Sequence, residues 1–136
     1  LGILADSLEA TIRKPDVRQL LLAERLTLIT PYASTAGFSV GAAMGRNKLI
    51  YGLAEFAVVV SSDHQTGGTW AGAVEALKAN WCPVLVRDGD GVPKGNKELI
   101  KLGATALPSG QFPEISSLLE WVQQHVPPKA AEAELF

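Results

Sequence analysis

Apolar positions along this chain follow two alternating patterns: short unbroken runs, and longer stretches with helical spacing. The runs at Ile3–Ala5, Leu26–Thr30, Phe56–Val60, Pro83–Arg87 and Thr105–Leu107 predict strands, and the Val-rich run from Phe56 predicts a buried strand near the sheet centre. Helical spacing covers Asp16–Arg25, Gly41–Leu53, Trp70–Ala79, Gly95–Leu102 and Pro113–Val126. Punctuation agrees with these bounds, with Pro15 suited to a first helical turn, Pro31 closing a strand and Gly103 stopping a helix. Strand and helix in strict alternation predict an α/β sandwich with a mainly parallel sheet. Residues 127–136 have the Pro, Ala and Glu bias of a solvated tail. The opening Leu1-Gly2-Ile3-Leu4-Ala5-Asp6 lacks the basic flank of a signal peptide and runs as a strand into a polar segment, so the chain is expected to begin inside a domain and to lack its N-terminal portion.

Composition narrows this picture. With 136 residues, 47% hydrophobic and 19% charged, the chain can bury one sizeable core, and a single domain over residues 1–126 is expected. A formal net charge of −2 excludes nucleic-acid binding by bulk attraction, so any anion site must be local. The single cysteine, Cys82, cannot form an internal disulfide, and no apolar stretch is long enough to span a bilayer. A cytoplasmic protein without a membrane partner is the expectation.

Three constellations could hold a ligand. The first is Thr66-Gly67-Gly68-Thr69, after the Val-rich run and before a helix, where glycines let backbone N–H groups approach an anion at the carboxyl end of a strand. The same residues also suit a plain tight turn with Thr69 as a helix cap, and they match neither Walker A nor GxGxxG. The second is Arg46-Asn47-Lys48, whose two cations lie two residues apart on a helix and so point in different directions. Arg offers a fork and Lys a point charge for phosphate, although taken alone such a pair is better explained by a solvated helix face. The third is Lys94-Gly95-Asn96-Lys97, a basic turn in which Asn96 could cap the following helix, or which is merely exposed.

Familiar hydrolytic chemistry finds no support. His64 and His125 lie in different kinds of segment, no Cys/His cluster reaches metal-ligand number, and GxSxG does not occur. No catalytic residue, metal or cofactor is expected, and Cys82 reads as a small apolar filler. Trp81 and Trp121 read as packing residues, as does Trp70, although its place beside the glycines would also suit stacking on a base.

Taken in order, Gly45-Arg-Asn-Lys-Leu-Ile-Tyr-Gly-Leu-Ala54, Thr66-Gly-Gly-Thr-Trp-Ala-Gly-Ala-Val-Glu-Ala-Leu77 and Gly95-Asn-Lys-Glu-Leu-Ile-Lys-Leu-Gly-Ala104 resemble the motif series of the DNA-processing protein A (DprA/Smf) family. The resemblance covers about Ile3 to Leu107. It implies a three-layer Rossmann-like fold of the bacterial cytoplasm that binds single-stranded DNA, catalyses nothing, and in transformable species helps to load a RecA-type recombinase. A homodimer is a further implied partner. Carried over residue by residue, Arg46, Asn47 and Lys48 are implied as phosphate contacts, as are Thr66, Gly67, Gly68 and Thr69, with Gly95, Asn96 and Lys97 as a basic turn nearby. Two upstream family segments, one Gly-Ser-Arg and one with Ser-Gly, are not found here, and Thr66-Gly-Gly-Thr replaces the usual Ser-Gly-Ser, as in a divergent subgroup.

Two other readings share this kind of fold. In phosphoribohydrolases of the Lonely-Guy type a P-G-G-x-G-T-x-x-E loop carries the catalytic Glu. Here Val74 takes that position and Glu75 lies one residue on, about 100° around the helix. A sensor that binds a nucleotide without turning it over is the other.

Overall fold

The computed structural model describes residues 1–110 and 115–126. The chain divides into two compact units, Leu1–Leu53 and Ala54–Phe136. The first holds β1 (Gly2–Ile3), α1 (Leu8–Ile12), α2 (Pro15–Leu22), β2 (Leu28–Ile29) and α3 (Val40–Gly52). The second holds β3 (Ala57–Val59), α4 (Gly67–Ala79), β4 (Val84–Asp88), α5 (Lys94–Lys101), β5 (Thr105–Pro108) and α6 (Leu118–His125).

Every described strand pairing is parallel, as the alternating pattern predicts. In the first unit β1 lies beside β2 with Gly2 opposite Leu28 and Ile3 opposite Ile29. Helix α1 escapes the periodicity argument because five residues are too few to show a period. It is set by Ser7, whose hydroxyl accepts from the Ala10 N–H at 3.1 Å. Helix α2 begins at Pro15, as expected, but stops at Leu22 and not Arg25. Glu24 turns into the left-handed region at φ +55°, and the Arg25 N–H closes onto the Leu20 carbonyl. Helix α3 starts after Ser39, whose hydroxyl accepts from the Ala42 N–H.

In the second unit the strand order is β3-β4-β5, with Val58 opposite Leu85 and Leu85 opposite Thr105. The expectation that the Val-rich strand sits at the centre is corrected within this sheet, where β4 is central and β3 has β4 as its partner. Val84, Leu85 and Val86 are fully enclosed, whereas Val60, just past the end of β3, is 60% exposed. Because side chains alternate across a strand, Phe56, Val58, Leu85 and Leu107 face one way, and Leu118, Trp121 and Val122 of α6 complete that cluster. Val122 and Leu118 are thus packing residues, while Leu119 stays exposed. Both crossovers advance in the same direction across the sheet, which places α4 and α5 together against β4. Buried Ala73, Ala76 and Leu99 let them approach closely.

Helix α4 ends at Asn80 in the left-handed conformation, and α5 is followed by Gly103 at φ +110°, the stop the sequence predicts. Cys82 is buried, in line with its reading as filler. The expected helix from Pro113 is described only from Leu118, since residues 111–114 and the expected tail 127–136 lie outside the described residues.

Candidate nucleic-acid interface

The two glycine-containing constellations come together at the carboxyl ends of β3 and β4, the end where parallel α/β sheets bind ligands. From Val60 the chain leaves the sheet as a loop, Ser61 to Thr66, and enters α4 at Gly67. Gln65 and Gly67 both have positive φ, +59° and +79°. Nothing lies within 4 Å of a Cβ at Gly67, so the backbone conformation, not crowding, calls for glycine there. Thr66 is the N-cap residue without a side-chain capping bond, and Thr69 lies inside the first turn, so the expected Thr69 cap is not formed. Thr66, Gly67, Gly68 and Thr69 are all exposed, at the positive end of a 13-residue helix. His64 meets Trp70 edge to face, with ring centroids 5.0 Å apart.

Gly95 and Asn96 are placed differently from the exposed basic turn that the sequence suggests. The cap of α5 is Pro93, so Asn96 stands three residues in and does not cap its own helix. Its side chain, 0% exposed, instead crosses to the strand ends. Oδ1 accepts from the Ser62 N–H at 2.8 Å, and Nδ2 donates to the Val60 carbonyl at 3.1 Å and the Arg87 carbonyl at 2.8 Å. Both amide hydrogens are therefore spent within the protein. Gly95 is buried directly beneath the loop, and a Cβ there would overlap the carbonyl oxygens of Ser62 and Asp63. Lys94 and Lys97, flanking this pair, point to the exposed side.

Two participants were not among the sequence candidates. Arg87, at the end of β4, donates from Nε to the Val60 carbonyl at 3.0 Å, sharing that acceptor with Asn96. Ser62 is 2% exposed and donates from its hydroxyl to the Asp63 carbonyl. Only the position of both residues at a strand end could have flagged them. The local charge is more balanced than the lysines suggest. Glu98 accepts a hydrogen bond from the Lys101 ammonium at 2.9 Å. That bond holds its carboxyl below the usual glutamate value against an opposing desolvation cost, helped by the charges of Lys101, His64 and Lys94.

The Arg46-Asn47-Lys48 segment belongs to the first unit, on α3. Arg46 is half-buried, and its Nη1 donates to the Ile3 carbonyl at the end of β1 at 2.7 Å, while Nε is buried without a hydrogen-bond partner. Asn47 is half-buried and Lys48 exposed, so the two cations do part company around the helix. Tyr32 donates from its hydroxyl to the Ala42 carbonyl at 2.8 Å and so braces α3, passing close over Gly45. Among the described residues no group of three His, Cys, Asp or Glu side chains could hold a metal ion, and no helix is long and apolar enough to cross a membrane.

Residues 1–119 match the family model described as DNA recombination-mediator protein A. No curated protein matches the chain. Among solved structures, the chain is similar to the X-ray structure of DNA processing protein A (DprA) from Streptococcus pneumoniae, with a TM-score of 0.62 and 21% identity. The likeness covers 84% of this chain but 42% of that one, so the chain spans less than half the length of the structure it resembles. At that identity the likeness establishes the fold, a Rossmann-like α/β arrangement with parallel strands.

Proposed function

We propose, from the premise that this chain belongs to the DNA recombination-mediator protein A family, that it is a DNA-processing module which binds single-stranded DNA and performs no chemistry on it. The observation that carries this reading is the exposed Thr66–Thr69 turn at the carboxyl end of β3, preceded by a loop that is held from α5, whose first turn carries the exposed Lys94 and Lys97. Backbone N–H groups at a helix start and point charges beside them suit phosphate, which a strand of any sequence supplies. Lys97 and the Thr66–Thr69 turn are proposed as phosphate contacts from the second unit, and Lys48, with Asn47 and Arg46, as contacts from the first. With a net charge of −2 such contacts are local ones, and because they are made to phosphate the affinity should be salt-dependent. A cytoplasmic location and cooperation with a RecA-type recombinase, as a monomer or a homodimer, belong to the same reading.

The test is fluorescence polarisation of a labelled oligo-dT strand with the full chain at two salt concentrations, with a nucleoside monophosphate as competitor. Saturable binding that weakens with salt and ignores the mononucleotide is the expected result. Displacement by the mononucleotide would favour a nucleotide sensor, and release of free base would favour a phosphoribohydrolase acting through Glu75.

A further inference from the structure

We propose that Asn96 is a positioning residue for ligand binding at the loop from Ser61 to Thr66 and the first turn of α4: it fixes the loop that meets the ligand and does not meet the ligand itself. The inference rests on the DNA-binding reading above and deepens it.

Strand β3 ends at Val59, so the next residues lose their ladder partners just where the chain turns toward the candidate site. Buried backbone groups without partners are costly, and here they are satisfied from outside the loop. Asn96 takes the Ser62 N–H and gives one amide hydrogen to Val60. Its second amide hydrogen goes to Arg87, which ties the same junction to the end of β4. Arg87 then returns a bond to Val60, so that carbonyl accepts two donors. The residue before Asn96 has to be glycine, because any Cβ would occupy the space of the Ser62 and Asp63 carbonyl oxygens, which are backbone atoms that cannot swing aside. One buried amide, 34 and 36 residues away in sequence from the Ser62 and Val60 groups it holds, therefore determines where the loop starts.

The exposed half of the loop depends on that start. Gln65 reaches its positive-φ conformation a few residues downstream, between the fixed point at Ser62 and α4, and Gly67 does so as the first residue of α4. A loop anchored at both ends loses little conformational freedom when a ligand binds, whereas one released at Ser62 must be ordered at the ligand's expense. Removing Asn96 is thus expected to weaken binding by about tenfold, the order set by one buried, unpaired polar group.

The experiment measures oligo-dT affinity by fluorescence polarisation, and amide hydrogen exchange residue by residue, on the full chain and on Asn96→Ala. Expected are faster exchange at Ser62, unchanged protection at Val84–Val86, and affinity lower by about tenfold. Loss of affinity with Ser62 still protected would mean that Asn96 touches the ligand and would overturn the proposal. Loss of Ser62 protection with unchanged affinity would overturn it equally. If Asn96→Ala does not fold, the wild-type chain still decides by NMR. The Asn96 side-chain amide hydrogens should exchange slowly both free and with oligo-dT, whereas their release or a direct contact with the strand would sink the idea. Failure of the wild-type chain to bind oligo-dT overturns the DNA reading itself, an outcome distinct from normal wild-type binding that the substitution leaves untouched.

Discussion

Each unit ties a helix to the end of a strand through one polar side chain, and the two ties differ in kind. In the first unit Arg46 of α3 donates to the Ile3 carbonyl, but carries a charge into a half-buried place and leaves Nε without a partner. In the second, Asn96 of α5 is neutral, wholly enclosed and bonded through both ends of its amide. The surroundings differ to match. The first unit's buried apolar residues are Ala5 and Tyr51, and neither α1 nor α2 buries a residue, while the second encloses Leu85, Val86, Leu99 and Leu107 completely. A neutral amide can be sealed in a tight core at little cost, whereas a guanidinium demands water or further acceptors. The second tie therefore suits a fixed loop, and the first suits a cation that keeps some access to solvent.

The sharpest way to break this comparison is to add one methyl group to each unit. Gly95→Ala forces a Cβ onto two backbone carbonyl oxygens and should cost about 3 kcal/mol of stability, read from the urea midpoint. Gly45→Ala places its Cβ 2.5 Å from the Tyr32 hydroxyl, the far end of a side chain that can move if it gives up its bond to Ala42. The loss of that one hydrogen bond, about 1 kcal/mol, is offset by the better helix propensity of alanine, so the net cost should be near zero. Equal losses would show that the second unit is no more rigid than the first.

Hydrogen exchange should rank the units between those two values. Amides of Val84–Val86 lie in an enclosed central strand, whereas those of Gly2 and Leu4, which donate to the Thr27 and Ile29 carbonyls, lie in a two-stranded pair of partly exposed residues. Protection should differ by about 2 kcal/mol in favour of β4, and similar protection in both would remove the asymmetry.

How much of this was legible in the sequence follows the same division between local and distant causes. Apart from the short α1, strand and helix order, the Pro15 start, the Gly103 stop and the parallel class are carried by neighbouring residues, so the pattern alone yields them. The place of β3 at an edge of its sheet is not local: Phe56–Val60 and Pro83–Arg87 read alike, and only strand order separates them. Helix α4 begins at Gly67, not Trp70, because two weak helix formers are held in a first turn by what precedes them. Asn96 shows the limit most clearly. Its residue type and position before a helical run favour a cap, and nothing within ten residues reveals Val60 and Ser62, its partners more than thirty positions upstream. The glycine beside it held the better signal, since a buried glycine at a helix start marks a close backbone approach.

Exposed lysines give a smaller effect and test whether both units meet DNA. Lys48→Ala and Lys97→Ala should each weaken oligo-dT binding a few-fold, and each should flatten the slope of log affinity against log salt by about 0.7. Substitution effects confined to Lys97 would assign the strand to the second unit, and effects confined to Lys48 would assign it to the first.

The smallest expected effect concerns Glu98, the carboxylate among the basic residues of α5. Its pKa is held below the usual 4.5, chiefly by the hydrogen bond from Lys101, with the charges of Lys101, His64 and Lys94 adding to it. A carboxyl whose folded value is depressed stabilises the protein fully above its unfolded value, and loses that contribution as pH falls through the folded one. Glu98→Gln should therefore unfold slightly more easily than wild type at neutral pH, with the gap closing in acid below about pH 4. The same substitution removes a negative charge beside Lys94 and should tighten oligo-dT binding roughly twofold at low salt, the gain fading as salt screens the exposed charges. A gap in stability that persists in acid would show that Glu98 acts by packing and not by charge, and unchanged low-salt binding would place the strand away from the first turn of α5.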